Sequence, residues 1–252
     1  MTASSTAALQ LFVDRLTARS ILTDEEQGAI LALPSHRVEF RRKQDFVHID
    51  EVTSYACLIA SGVVGRFGQT ATGARQTTAF HIAGDMVDLH STVRPVGIGG
   101  LNALCEATIL RVPHAAIREV AARYPAIAEA FWRDCMLDAA VLMQWVVNVG
   151  RRDARTRIAH VLCEMAIRIG EDRQILVEYD LPITQEQLGD AAALTSVHVN
   201  RSLKTLTDLV TIRHGRVRIR DWHALADVGE FEGSYLTADT APDRQRRYLE
   251  RP

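Results

Sequence analysis

The spacing of apolar residues changes period along the chain, and each change predicts a new kind of element. Residues from about 9 to 33 read as short helices. In LTDEEQGAILAL, Thr23 stands as an N-cap with Glu26 three residues later, a capping box, and Ile30, Leu31 and Leu33 supply an apolar face. From about Val38 to Pro113, short β-prone runs alternate with turn signals: FVHID, YACLIASGVVGRFG, RQTTAFHIAGDMVDLH and ALCEATILRVP. Thr72-Gly73 suits a hairpin turn, and Ala83-Gly84-Asp85 marks another. This pattern predicts an antiparallel β-roll or barrel, with enough Val, Ile, Leu and Phe for its own core.

From about Pro125 the period becomes helical. Phe131, Cys135, Leu142, Trp145 and Val149 fall near one stripe with Ile127, and Trp132, Met136, Ala139, Met143 and Val146 widen it. So wide a surface needs a partner on each side. The β-roll can cover one side and the same helix of a second subunit the other; full burial within one chain is the alternative. Gly150 is expected to end this helix, and Asp153 to cap a second one, ARTRIAHVLCEMAIRIG, buried through Ile158, Val161, Leu162, Met165 and Ile169. EDRQILVEYDLP reads as a linker with a short strand. The last residues, 237–252, are polar with Pro242 among them, and are expected to be disordered.

The stretch PITQEQLGDAAALTSVHVNRSLKTL reads as two helices. Thr184 and Gln187 form a capping box, and a short turn at Ala193-Leu194 leads to a second N-cap, Thr195. Gly189 is costly inside the first helix unless another backbone comes close, as a crossing second helix would bring it. On a helical wheel Val199, Leu203 and Leu206 share one face of the second helix, expected over 195–208. Val197, Arg201, Lys204 and Asp208 lie opposite, flanked by His198 and Asn200. Arginine can pair with guanine, asparagine with adenine, and an apolar side chain can touch a thymine methyl. Thr195 and Ser196 at the helix start suit phosphate contacts. In VTIRHGRVRIRDW, His214-Gly215 predicts a hairpin turn between two strands. A helix-turn-helix followed by a basic β-wing is a DNA reader. A helical hairpin with a solvated basic face is the plainer alternative.

Composition then narrows the classes. The chain has 252 residues, 47% hydrophobic and 24% charged, which suits one large or two modest domains. Its formal charge is −2, so DNA binding must come from a local patch. Between Thr195 and Arg220 the bases are Arg201, Lys204, Arg213, Arg216, Arg218 and Arg220, against the single acid Asp208. Cys57, Cys105, Cys135 and Cys163 lack metal spacing and are expected to be buried and structural. The N-terminus lacks a secretory pattern, and no stretch approaches the ~18 apolar residues of a spanning helix, so a cytoplasmic location without membrane contact is expected.

With these pieces in order, the chain resembles the Crp/Fnr superfamily of bacterial transcription regulators over about residues 9 to 236. The resemblance rests on the β-roll, on GRRDARTRIAHVLCEMA and, most specifically, on ITQEQLGDAAALTSVHVNRSL. It implies an α+β fold: a cyclic-nucleotide-binding-like β-roll sensor over 9–124, a dimerisation helix over 125–150 and a winged helix-turn-helix over 151–228. The implied function is binding of palindromic promoter sites. Arg201 matches the family's main base-reading arginine. Ser196 and Val197 replace an arginine and a glutamate of the nucleotide-responsive members, so a different half-site is expected. LTDLVTI is shorter than usual and lacks the glycine before the wing. The expected DNA-contacting set is Thr184, Gln185, Thr195, Ser196, Val197, His198, Asn200, Arg201, Lys204, Arg213, His214, Arg216 and Arg218. The expected dimer interface comprises Phe131, Cys135, Leu142, Trp145 and Val149.

The sensor departs from the family. Cyclic-nucleotide binders carry Gly-Glu and then Arg-Ser or Arg-Thr; here GDMVDLHSTVRPVG has Asp88-Leu89 and no such arginine pair, since Arg94 precedes Pro95. Asp88 would repel a phosphate, so cyclic AMP is not the expected signal. Met86, Asp88, His90 and Arg94 are the candidate effector-pocket residues. No cysteine precedes Cys57 to hold the iron–sulfur cluster of the oxygen-sensing branch. No cofactor and no metal is expected, with haem on His81 or His90 as the alternative. Expected partners are double-stranded DNA, a second copy of the chain, RNA polymerase and an unidentified small-molecule effector. The chain is not expected to be an enzyme; the rival reading is a β-roll small-molecule binder or cupin-like enzyme whose helical part serves assembly.

Overall fold

The computed structural model describes residues 3–170 and 177–237. The tail beyond Thr237 and part of the linker, residues 171–176, lie outside the described residues. Two compact units are present, residues 1–64 with 81–139, and residues 65–80 with 140–236.

The first unit begins with helices α1 (Ala3–Thr17) and α2 (Asp24–Leu31). The Thr23–Glu26 capping box forms in both directions and starts α2 as expected. The β-roll strands follow: β1 (His36–Phe40), β2 (Asp45–Val47), β3 (Tyr55–Ser61), β4 (Val63–Gln69), β5 (Arg75–Ile82), β6 (Gly100–Ala103) and β7 (Ala107–Pro113). One sheet has the order β1-β7-β3 and the other β2-β6-β4-β5. Both pairings of β7 are antiparallel, with Val38 and Ile59 each opposite Ile109. Alternation sends Ile59, Val64, Leu101 and Ile109 into a core between the sheets, where Phe40 and Phe46 stack 4.6 Å apart. A second core lies under α1, where Leu9, Phe12, Val13 and Leu16 meet Leu58, Leu110 and Phe131. Full burial of each such side chain contributes about 1.5–3 kcal/mol.

Helices α3 (His114–Arg123) and α4 (Pro125–Arg151) follow β7. The structure corrects two readings of α4. It runs through Gly150 to Arg151 and ends just before the Asp153 cap. The stripe expected at a dimer interface is also largely internal. Phe131 stacks on Phe12 at 6.0 Å, Trp145 is 3% exposed with its ring edge-on to Phe80, and Cys135 and Val149 are half-buried. Of the expected set only Leu142 is exposed. The outward stripe is the other one, Trp132 (74% exposed), Met136, Ala139, Met143 and Val146.

In the second unit α5 (Ala154–Ile169) is buried from Ile158 through Ala166. Asp153 caps it by accepting the Thr156 N–H at 2.9 Å. The unit continues with β8 (Glu178–Asp180), α6 (Gln185–Ala192), α7 (Ser196–Thr205), β9 (Val210–Arg213), β10 (Arg216–Ile219), α8 (Trp222–Val228) and α9 (Ser234–Thr237). Glu164 of α5 is fully buried yet satisfied. It accepts from Trp145 Nε1 at 3.0 Å and Tyr235 Oη at 2.7 Å, and pairs with Arg168 at 3.0 Å. His160, beside it, faces the Gly229 carbonyl at 3.0 Å, and burial holds its pKa below the ordinary value.

Candidate DNA-reading site

The reader is built by three local devices. Thr184 caps α6 in a complete capping box with Gln187, and Thr195 caps α7 by accepting the His198 N–H. Between them Ala193 takes the left-handed conformation, φ +53°, and turns the chain sharply. Gly189 allows this turn to pack. A Cβ there would stand 2.5 Å from the Leu194 carbonyl oxygen, so only glycine fits. The close approach expected at Gly189 is thus the backbone of the turn itself.

Burial divides α7 as the wheel predicts. Val199 and Leu206 are fully buried and Leu203 is half-buried, whereas Val197, Arg201, Lys204 and Asp208 are all exposed. The helix stops at Thr205, short of the expected 208, because Leu206 caps it and the chain turns through Leu209. Ser202 is also buried, which the wheel did not single out. Val197 is 66% exposed, beside the exposed Ser196, His198, Asn200 and Arg201. A valine left in water amid a guanidinium, an amide and an imidazole suits a surface that meets bases. Asn200 Nδ2 donates to Gln185 Oε1 at 3.4 Å, joining the exposed N-terminal turn of α6 to α7. Thr195 Oγ1 lies 3.1 Å from His198 Nδ1.

The wing forms as expected. His214 and Gly215 both have positive φ, 50° and 79°, the signature of a tight hairpin turn. The Gly215 carbonyl accepts from Leu181 N–H, which ties the hairpin tip to the segment leading into α6. Arg213, His214, Arg216 and Arg218 are exposed. Arg216 is not free: its Nε reaches Glu178 Oε1 at 2.6 Å and its Nη1 lies 3.6 Å from Asp180 Oδ1. The Glu178 hydrogen bond and the two negative charges hold its pKa above the ordinary value. Sequence reasoning missed these acids because β8 and β10 are distant in sequence and adjacent only in the sheet.

The candidate effector residues are placed differently. Met86 and Asp88 are buried, His90 is half-buried and Arg94 is exposed, so the four do not share one solvent-open face. The Asp88 carboxylate, 6% exposed, accepts the Cys57 N–H at 2.6 Å. His81 is 1% exposed, with Nδ1 3.7 Å from Asp85 Oδ2. Among the described residues no group of three His, Cys, Asp or Glu side chains gathers as a metal site. Ser91 Oγ and His114 Nε2 are 2.7 Å apart, but both residues are buried and closed to a substrate. All four cysteines are free thiols; three are buried and Cys135 is half-buried. Burial pushes the Cys57 thiol well up, and that of Cys163 to about 12.

Comparison with known proteins agrees with this construction. Residues 156–228 match the model of the Crp-like helix-turn-helix domain. The nitrogen fixation regulation protein FixK of Azorhizobium caulinodans is 26% identical over 214 residues, 82% of this chain and 86% of that protein. The fumarate and nitrate reduction regulatory protein of Vibrio cholerae is 24% identical over 155 residues, 61% of each chain. The fold is that of FixK2 from Bradyrhizobium japonicum, with a TM-score of 0.70 at 22% identity, covering 78% of this chain and 98% of that one. It is also that of the CRP-family regulator TTHB099 from Thermus thermophilus, with a TM-score of 0.59 at 19% identity, covering 77% and 96%. These relatives are regulators, not enzymes. Residues 156–228 thus form a Crp-like helix-turn-helix domain, and with its N-terminal β-roll and long helix the chain as a whole is similar to the Crp/Fnr superfamily of transcription regulators.

Proposed function

We propose that this regulator acts as a cytoplasmic homodimer that reads a palindromic promoter site with α7. The observation that carries the reading is the exposed face of α7, with Val197 and Arg201 in water and Val199 and Leu206 sealed beneath them. Arg201 makes the principal base contact, flanked by Val197, Asn200 and Lys204. Thr184, Gln185, Thr195, Ser196 and His198 hold the backbone, as do Arg213, His214, Arg216 and Arg218 on the wing. The protein divides in function at about residues 9–124, 125–150 and 151–228, for sensing, pairing and reading.

Pairing uses the outward stripe of α4. Trp132, Met136, Ala139, Met143 and Val146 recur at heptad spacing along one helix, and all five are exposed. A second copy of α4 is the surface that matches this repeat by symmetry. Two-fold symmetry then sets the two readers one helical turn apart, about 34–36 Å. The signal enters through the β-roll and is not cyclic AMP, because GDMVDLHSTVRPVG lacks the Gly-Glu pair and the Arg-Ser or Arg-Thr pair that hold it in cyclic-nucleotide binders. RNA polymerase and an unidentified small molecule are the remaining partners. Among the described residues no helix is long and apolar enough to cross a membrane.

Selection of duplexes from a random pool tests the reading directly. The recovered motif is expected to be a palindrome with half-sites one turn apart, and Arg201→Ala to relax one base position in each half. Trp132→Ser with Met143→Ser is expected to give monomers by light scattering. Recovery of no motif would overturn the reader; wild-type monomers at micromolar concentration would overturn the pairing.

A further inference from the structure

The Crp-like domain closes at residue 228, and the described chain runs on to Thr237. This last stretch folds back on α5. Gly229 comes so close that a Cβ there would stand 2.9 Å from the His160 backbone nitrogen. Its carbonyl lies 3.0 Å from His160 Nδ1, and since a carbonyl only accepts, the ring donates. Glu230 turns the chain with a φ of +47°. Phe231 is buried and meets the rings of His160 and Trp222 edge-on, with centroids 5.1 and 6.0 Å away. Leu236 is buried as well.

Polar ties run from this stretch to the junction of α4 and α5. Only Arg152 and Asp153 separate the two helices, and so short a link can serve as a hinge. Glu164 Oε2 accepts from Trp145 Nε1 of α4 at 3.0 Å and from Tyr235 Oη of α9 at 2.7 Å. One buried oxygen thus joins the long helix to the last helix. Glu230 Oε2 meets Arg152 Nε in the link itself at 3.3 Å, and the Arg152 side chain is only 8% exposed. The ties continue toward the reader. Arg157 Nε donates to the Arg152 carbonyl at 2.8 Å, and its Nη1 to the Ala192 carbonyl at 3.0 Å, where α6 ends. Apolar contact alone would let helices slide; directional bonds to one buried carboxylate fix an angle.

We propose that residues 229–237 form a clasp that fixes the angle between α4 and the reader, and through it the half-site spacing that a dimer accepts. Closed, the clasp holds each reader in one pose, so a correctly spaced palindrome is bound without ordering the hinge. Opened, it lets the hinge swing, and the readers reach half-sites at other spacings. This inference rests on the proposed pairing and reading but is separable from both.

The test uses the full-length protein and three duplexes built from the selected palindrome. One keeps the native spacing. In the second the half-sites are moved apart by about two base pairs, which shifts one half-site by ~7 Å and turns it by ~70°. The third carries one half-site beside a scrambled one. Fluorescence anisotropy gives the affinities, and light scattering the oligomeric state. Wild type is expected to bind the lengthened palindrome about tenfold more weakly than the native one. Tyr235→Phe with Glu230→Ala severs the Glu164 tie and the Arg152 ion pair but keeps the rings of the clasp. This variant is expected to bind the single half-site like wild type. It should bind the native palindrome several-fold more weakly, and the lengthened one within about threefold of the native. Glu230→Gln keeps an acceptor for Arg152 and is expected to retain the wild-type discrimination. Should the double variant melt early, Tyr235→Phe alone carries the same comparison.

Wild type binding both palindromes equally would overturn the clasp and leave the reader standing. So would a double variant that keeps the wild-type discrimination, or one that binds all three duplexes more weakly by a single factor. Wild-type monomers would instead overturn the pairing, and wild type binding none of the duplexes would overturn the reader.

Discussion

The reader and the β-roll treat their polar side chains in opposite ways. On α7 the groups that could meet a ligand stand in water above a sealed layer of Val199 and Leu206. In the β-roll the carboxylate of Asp88, which family position points toward an effector, is buried on a backbone N–H of β3. The difference teaches that a motif position gives a side chain's address, not its availability. Availability depends on what else lies within hydrogen-bond reach.

The comparison can be broken by substitutions that separate stability from binding. The largest effect is expected deep in the second unit. Glu164→Ala strands Trp145 Nε1 in a dry site and takes a buried carboxylate away from the Tyr235 hydroxyl and the Arg168 guanidinium. A loss of ~3–5 kcal/mol in urea denaturation is expected. Next comes Asp88→Ala, which leaves the Cys57 N–H buried without its acceptor and should destabilise by ~1–3 kcal/mol. A stable Asp88→Ala protein that gained cyclic AMP affinity would return Asp88 to the pocket.

Arg201→Ala is the counterpart on the exposed side. Specific DNA binding should weaken by ~1–3 kcal/mol with the unfolding midpoint unchanged. A shifted midpoint would mean that Arg201 serves the fold. The smallest effect is expected at Asp134, where burial and the neighbouring Asp138 raise the carboxyl pKa to about 7 despite Arg19 at 3.3 Å. A folded-state pKa above the unfolded value near 4 favours the folded state at low pH. That contribution fades as pH rises from about 4 to about 7. Asp134→Asn should flatten the pH dependence of the thermal midpoint across this window.

Much of this was legible in the sequence wherever the cause is local. The caps at Thr23, Asp153, Thr184 and Thr195, the His214-Gly215 turn and the inner face of α7 each depend on residues a few positions apart. The misreadings have distant causes. Both apolar stripes of α4 are visible in the sequence, but which one turns inward depends on Phe12 and Phe80 in other elements. Asp88, in the loop after β5, meets an N–H of β3, and Arg216 meets acids of β8. Periodicity cannot see such pairs, because the sheet and not the helix or turn brings them together.

The outward stripe of α4 carries a consequence for dosage. A single chain leaves Trp132, Met136, Met143 and Val146 in water, and in a dimer built on that stripe the reading-competent species forms by mass action. While protomers are scarce, dimer abundance grows as the square of their concentration, and so does occupancy of a two-fold site. A modest rise in synthesis then becomes a sharp rise in bound promoter. If α4 pairs as proposed, the cell can tune this regulator by how much of it is made, independently of any signal at the β-roll.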